Sequence, residues 1–329
     1  MTANLASRHY SWSFGSHSAW IRVWSLNAKP RPGLILDQSR PLWLALLMNR
    51  RREFFLTLPS LAWMLAFFVV PAGLVISMAF RPSDLRGGIG EGWSLDTLKA
   101  VVEAGYLPMV WQTVWLSAVT AMICLALALP MAFHIARVSE GWRRLLLLLV
   151  VVPFLTNFII RIFAWKSLLH PEGALTQLLI RSGLVGEDAM LLNNAGAVLL
   201  VLVYTQLPFA ILPLYAAAEK FDFQLLDAAR DLGASPWRAF WRVFVPGVRR
   251  GLMSAALMVF VCALGQYVIP QFIGGPSDEM LGNKITQRAF GDRNLPHASA
   301  LAACLMLAVL VPMLLAALWR RLFGKEAAS

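Results

Sequence analysis

The chain has few charged residues and few cysteines. Charged side chains make up 14% of its 329 residues and apolar ones 58%, whereas soluble domains average about 25% charged and roughly 45–50% apolar residues. This balance excludes an ordinary soluble domain. Cys124, Cys262 and Cys304 all lie inside apolar runs, so we interpret them as packing residues rather than as a disulfide framework or a metal site.

Motifs for catalysis and for metal binding are also missing. The sequence has no phosphate-binding Gly-x-x-x-x-Gly-Lys-Ser/Thr segment and no pair of histidines at metal-ligand spacing. It also has no recognisable nucleophile and base pair that would indicate a membrane enzyme. We therefore expect no catalytic residue, no metal site and no cofactor bound by this chain.

Six apolar runs are long enough to cross a membrane, because about 20 helical residues span roughly 30 Å of hydrocarbon. They are Leu56–Phe80, Met109–Ile135, Leu145–Leu168, Ala195–Ala217, Leu252–Ile273 and Ala298–Trp319. The sequence thus predicts an all-α membrane protein with about six transmembrane helices. The predicted parts are an N-terminal segment at 1–55, a transmembrane domain at 56–321 and a tail at 322–329.

The lysines and arginines favour one orientation of these helices. With both termini in the cytoplasm, cytoplasmic segments hold 20 of the 29 basic residues, and the external segments hold 8 basic and 10 acidic residues. The net charge of +11 then reflects a multi-pass topology rather than nucleic-acid binding. Met48 directly precedes an arginine-rich anchor, so we also consider a start at Met48, with residues 1–47 as an upstream extension.

The polar, basic stretch between the fourth and fifth runs predicts two short helices joined by a turn. Gln224–Leu232 has a helical pattern, and Gly233 is suited to the positive φ that commonly follows a helix. Ser235 can cap a second helix and Pro236 fits its first position. Pro246 is expected to end it.

The second of these helices has an aromatic face. Trp237, Phe240, Trp241 and Phe244 are spaced i, i+3, i+4 and i+7. Two interpretations are open from this pattern alone. The helix lies in the membrane interface, where Trp and Arg are common, or it docks into a groove of another protein.

This stretch resembles the cytoplasmic loop of ABC-importer permeases, which reads Glu-Ala-Ala, three residues, Gly, nine residues, Ile-x-Leu-Pro. All spacings are kept here, with Asp for Glu and Val for both Ile and Leu. The resemblance favours docking, because in that family the loop is the coupling helix that seats in the ATPase subunit. The residues it implies for coupling are Asp227, Ala228, Ala229, Gly233, Ser235, Pro236, Trp237, Phe240 and Pro246.

The resemblance also implies a fold and partners. The fold would be that of a type I ABC importer permease, and the location a bacterial inner membrane. The partners would be a dimer of ABC ATPase subunits that binds ATP and magnesium, a second and different permease chain, and an external solute-binding protein.

Two further segments resemble the polyamine branch of these permeases. One is the run from Pro153 through Arg161 to Trp165, and the other is Ile269–Pro276, followed by Met280–Ile285. The resemblance implies a path for spermidine and putrescine, which aromatic and amide groups can pass through cation–π and carbonyl contacts. The expected path residues are Asn157, Arg161, Tyr204, Gln206, Gln266 and Tyr267.

Individual features of this path leave alternatives open. Arg161 is interpreted as a gate residue, as an interhelix partner or as a side chain that reaches the outer interface. Pro208 predicts a kink that frees a backbone carbonyl near Tyr204.

Other transport functions remain as alternatives. Related permeases carry phosphonates, opine-like or amino-acid-like solutes, or ferric ions. A self-sufficient secondary carrier is a further alternative, but such carriers use acidic residues in their spans to couple ions, and the six runs contain no Asp or Glu.

Overall fold

The computed structural model describes residues 42–84, 88–186, 188 and 190–323, which are mostly helical. The chain divides into two units, residues 1–67 and 68–329. The helices, in chain order, are α1 Leu42–Ala79, α2 Asp96–Glu103, α3 Leu107–Arg137, α4 Glu140–Leu155, α5 Phe158–Leu169, α6 Ala174–Arg181, α7 Ala195–Glu219, α8 Gln224–Asp231, α9 Pro236–Gly247, α10 Arg249–Leu264, α11 Val268–Ile273, α12 Leu281–Thr286 and α13 Leu295–Phe323. A π-helical turn lies within α9 at Phe240–Phe244, and another follows α12 at Gln287–Gly291.

Helices α3, α7 and α10 pack against one another and form the core of the second unit. Small side chains permit this close packing, as Ala128, Ala210 and Ala255 are fully buried between the helices. Around the junction of α9 and α10 the chain closely approaches the end of α7 and the residues that follow it. A Cβ at Gly247 would overlap the Phe221 ring, and one at Gly251 would overlap the Ala217 methyl group.

Three helical stretches of the described chain are long and apolar enough to cross a membrane. They are Thr57–Ala79, α3 and α7. Two bent helix pairs raise this number to five if each pair forms one span, against about six predicted. Helices α3 and α7 begin and end within two residues of the second and fourth predicted runs, which confirms both.

The third and fifth predicted spans are not single helices. Where one span was predicted at Leu145–Leu168, α4 ends at Leu155, and the chain bends by 91° into the helical stretch that begins at Phe158. The fifth run is interrupted between α10 and α11. Apolar composition predicts that a segment is buried in lipid or protein, but it does not show where the backbone stops being helical, and so both predictions were wrong in this respect.

The first helix is longer than predicted. It begins at Leu42, inside the segment assigned to 1–55, and continues through Pro59 and Pro71. Met48 lies within it, and the alternative start at that residue stays a prediction. Residues 1–41 and 324–329 lie outside the described chain, so the rest of the N-terminal segment and most of the predicted tail lie there too.

A candidate coupling loop and membrane path

The turn between α8 and α9 depends on the backbone conformation of Gly233. Its φ is +86°, a value that glycine adopts without steric cost. The Gly233 N–H donates to the Arg230 carbonyl at 2.8 Å, and the Ala234 N–H donates to the Ala229 carbonyl at 3.0 Å. These two bonds satisfy carbonyls at the end of α8. The positive φ predicted for Gly233 is confirmed.

Helix α9 begins as predicted and ends differently. The Ser235 hydroxyl accepts a hydrogen bond from the Arg238 N–H at 3.3 Å, and Pro236 is the first helical residue. Pro246 does not end the helix, which continues to Gly247 before the chain bends by 73° into α10. In the π turn before Pro246, i to i+5 hydrogen bonds replace the usual i to i+4 bonds. The helix at this point therefore does not depend on the N–H group that proline lacks.

The aromatic face of α9 is divided between the core and the surface. Phe244 is fully buried, with its ring centroid 4.8 Å from that of Phe133 on α3. Phe240 is half-buried against the same ring at 5.2 Å. Trp237 is 70% exposed and Trp241 46%. The two phenylalanines therefore attach the loop to α3, and the two tryptophans are left accessible.

Helix α8 has an exposed apolar surface that sequence reasoning missed. Leu232, which follows α8, is 90% exposed and Leu225 is 51% exposed, with the exposed Ala228 between them in sequence. Their i, i+3 and i+7 spacing is the signal that could have identified this surface. Asp227 is exposed beside it and pairs with Arg230 at 3.8 Å. We call Leu225, Asp227, Ala228 and Leu232 the α8 surface.

An ion pair connects the end of α7, which leads into this loop, to the start of α4. A guanidinium nitrogen of Arg143 lies 3.7 Å from a carboxylate oxygen of Glu219, the last residue of α7. The Arg143 guanidinium also donates to the Ala136 carbonyl of α3 at 3.2 Å. The Tyr215 hydroxyl also donates to Glu219, at 2.7 Å. The ends of α3 and α7 and the start of α4 are thus joined beside the loop. No residue spacing in the sequence indicated this contact.

Arg161 stabilises the break between α4 and α5 through hydrogen bonds. Its side chain is 9% exposed, and its guanidinium donates to the carbonyls of Thr156 at 3.2 Å and Phe154 at 3.5 Å. These carbonyls lie at the end of α4, where no intrahelical donor follows. The Asn157 side chain accepts from the N–H groups of Ile159 and Ile160 and so caps α5. Both predicted path residues thus stabilise this break.

Residues of α12 stabilise the break between α10 and α11, where Gln266 and Tyr267 lie. The buried Asn283 side chain donates to the Tyr267 carbonyl at 2.9 Å and to the Gln271 side chain at 3.1 Å. A Cβ at Gly282 would lie 2.8 Å from the Gln266 carbonyl oxygen. Helix α12 therefore packs directly against this break, and the Tyr267 side chain is 42% exposed.

The other two predicted path residues lie within the continuous helix α7. The Tyr204 ring centroid lies 5.2 Å from that of Trp165 on α5. Gln206 is 2% exposed, and its buried Oε1 atom has no hydrogen-bond partner in the described chain. Pro208 does not interrupt α7, which runs unbroken from Ala195 to Glu219. The six predicted residues therefore occupy two breaks and one intact helix.

Comparison with known families agrees with this architecture. Residues 124–328 match the model described as the binding-protein-dependent transport system inner membrane component. The chain belongs to this family. The match covers α4 to α13, including the coupling loop, and these elements carry the predicted sites.

Two relatives of this transport family align over most of their length. The chain is 35% identical over 259 residues to the spermidine/putrescine transport system permease protein PotB of Haemophilus influenzae, which covers 79% of this chain and 90% of that protein. It is 30% identical over 266 residues to the protein of the same name from Escherichia coli K12, which covers 80% and 96%.

Solved structures of importers share the fold. A chain of a bacterial ABC transporter for the import of the polysaccharide alginate superposes with a TM-score of 0.62 at 18% identity, covering 85% of this chain and 99% of that one. A chain of the alginate transporter in complex with a pentasaccharide-bound periplasmic protein gives 0.65 at 17% identity, covering 87% and 99%. The fold is therefore that of an ABC importer permease, and the chain is a multi-pass membrane protein.

Proposed function

We propose that this chain is a permease subunit of an ATP-driven importer of polyamines such as spermidine and putrescine. The observation that carries this proposal is the 35% identity to a spermidine/putrescine permease across 90% of that relative. Two segments resemble the polyamine branch. The one around Arg161 contains the break between α4 and α5, and the one around Pro270 directly follows the break between α10 and α11. In type I importers the chemistry of ATP hydrolysis belongs to a separate subunit, so this chain contributes the path and the coupling.

The coupling loop would transmit closure of the ATPase subunits to the membrane helices. Closure on ATP moves the α8 surface, and the ion pair of Arg143 with Glu219 together with the phenylalanine contacts to Phe133 passes this movement to α3 and α7. An ATPase dimer can drive the change only if it binds the two permease conformations with different affinity. Substrate would arrive from an external binding protein and cross between this chain and a second permease.

The α8 surface is the part of the loop that best fits an ATPase cleft. It presents Leu232, which is 90% exposed, and Leu225, which is 51% exposed, to solvent, and exposed apolar patches commonly mark interaction sites. We expect the double substitution Leu225→Ser and Leu232→Ser to reduce co-purification of the ATPase subunit about tenfold or more, because buried leucine side chains contribute roughly 1.5–3 kcal/mol each.

The matched control for this experiment is Leu184→Ser, which changes a leucine that is 75% exposed in the loop after α6. That variant should retain the ATPase at the level of the unchanged protein. Full retention by the Leu225 and Leu232 variant, at normal membrane expression, would show that docking does not use the α8 surface.

The polyamine substrate can be tested by ATPase stimulation in the assembled transporter. With the complete complex in lipid nanodiscs, the cognate binding protein loaded with spermidine should stimulate ATP hydrolysis several-fold more than the same binding protein without ligand. Loading with a phosphonate or ferric ion should give no stimulation beyond the unloaded level. Stimulation by one of these solutes and not by spermidine would agree with the importer assignment but would show that the substrate is not a polyamine.

A further inference from the structure

A groove runs between α3 and the coupling loop. It has a volume of about 420 Å³, within the roughly 300–1,000 Å³ of small-molecule sites. Its lining residues are Ala126, Leu129, Pro130, Phe133, Arg137, Arg230, Pro236, Trp237, Phe240 and Trp241. These residues are apolar or aromatic except for two arginines, and no carboxylate is among them.

The α3 wall of the groove is about as long as one membrane leaflet is thick. Ala126, Pro130, Phe133 and Arg137 follow one another at spacings of three or four residues and so share one helix face. At 1.5 Å per residue the stretch from Ala126 to Arg137 covers about 16 Å, roughly half of a 30 Å hydrocarbon core. Arg137 is the last residue of a helix that is long and apolar enough to cross a membrane, so we place the arginine at headgroup depth and the apolar wall at acyl-chain depth.

Two arginines, Arg137 and Arg230, give the groove its positive charge. Arg137 makes no ion pair with a carboxylate in the described part of the chain, and its guanidinium lies over the rings of Phe133 and Phe223 at 5.2 and 5.8 Å. Among the described residues, Arg230 pairs only with the exposed Asp227, a kind of contact that contributes little. Trp237 and Trp241, which also line the groove, are of the type that concentrates at membrane interfaces.

We propose that this groove binds an anionic phospholipid of the leaflet on the coupling-loop side. One acyl chain lies along Ala126, Pro130 and Phe133, and the phosphate is held by the two arginines. Basic pockets beside membrane helices bind anionic headgroups by the same charge complementarity. The lipid would connect α3 to the loop that docks the ATPase. This inference does not depend on which solute is transported.

Native mass spectrometry of the purified full-length chain, with phosphatidylglycerol or phosphatidylcholine added to the detergent, tests the proposal. We expect phosphatidylglycerol to be retained in preference to phosphatidylcholine. Arg137→Gln and Arg230→Gln should each lower its retention about fivefold, given the contribution of one basic residue near an anionic lipid. Arg137→Lys should keep the preference, and Arg238→Gln, an exposed change on α9 outside the groove, should have no effect.

A second pair of variants tests the acyl chain without changing charge. Ala126→Trp fills the groove from an exposed position and should abolish retention, while Leu127→Trp, the exposed neighbour outside the groove, should leave it unchanged. Equal retention of both lipids, or equal retention by Ala126→Trp and Leu127→Trp, would overturn the proposal. It would also fail if Ala126→Trp reduced ATPase co-purification and left lipid retention intact, because the ATPase would then be the occupant.

Discussion

Gly233→Val is expected to lower ATP-dependent uptake by the assembled transporter roughly tenfold or more while the chain still inserts in the membrane. Residue 233 has a φ of +86°, and a left-handed conformation costs an L-residue about 1–2 kcal/mol, with β-branched side chains among the least tolerant. The turn would relax to another conformation, and the α8 surface would lose its position relative to α9. Uptake into proteoliposomes at matched protein content measures the effect.

Two matched variants separate the backbone effect from the added bulk. Gly233→Asn should retain much more activity, since asparagine tolerates the left-handed conformation better than other residues. Gly141→Val places the same side chain at a glycine that has nothing within 4 Å of an added Cβ and no left-handed backbone, and it should be close to neutral. Equal uptake by Gly233→Val and the unchanged protein would show that this turn is not needed for coupling.

Arg161→Met is expected to destabilise the permease and abolish transport. The substitution removes the two part-buried hydrogen bonds from the guanidinium to the Phe154 and Thr156 carbonyls, and a hydrogen bond to a charged group contributes about 1.5–3 kcal/mol. The thermal midpoint of the purified chain in detergent should fall by about 5 °C or more. If Arg161 served only as a substrate contact in a gate, the midpoint would stay unchanged while transport was lost.

Conservative variants refine the interpretation of Arg161. Arg161→Lys keeps a charged donor but not the planar guanidinium that reaches two carbonyls, so we expect an intermediate midpoint. Arg181→Gln, an exposed change at the end of α6, serves as the control and should leave the midpoint unchanged. A midpoint for Arg161→Lys as low as that for Arg161→Met would show that charge alone does not hold the break.

The turn of the coupling loop could be predicted because its signals are local. Gly233, Ser235 and Pro236 each have a backbone requirement that adjacent residues reveal, and the structure shows each in its predicted conformation. The aromatic face was less predictable. Periodicity placed Phe240 and Phe244 on one face with Trp237, but only the position of Phe133 on a distant helix decides which of these rings are buried.

The broken spans could not be predicted because their determinants are separated in sequence. The break after α10 is stabilised by Asn283 from α12, and nothing near Gln266 in the chain indicates that partner. Arg161 was identified as unusual because charge is costly in an apolar run. Its actual partners, the carbonyls at the end of α4, required the three-dimensional position of the break.

The central claim is that this chain forms part of an ATP-driven polyamine path. Uptake of labelled spermidine and putrescine into proteoliposomes that contain this chain, its partner permease, the ATPase and the binding protein tests it most directly. The account predicts uptake that requires ATP and all four components and falls strongly with Gly233→Val. Spermidine uptake by this chain alone without ATP, or ATP-dependent transport of another solute with none of either polyamine, would contradict it.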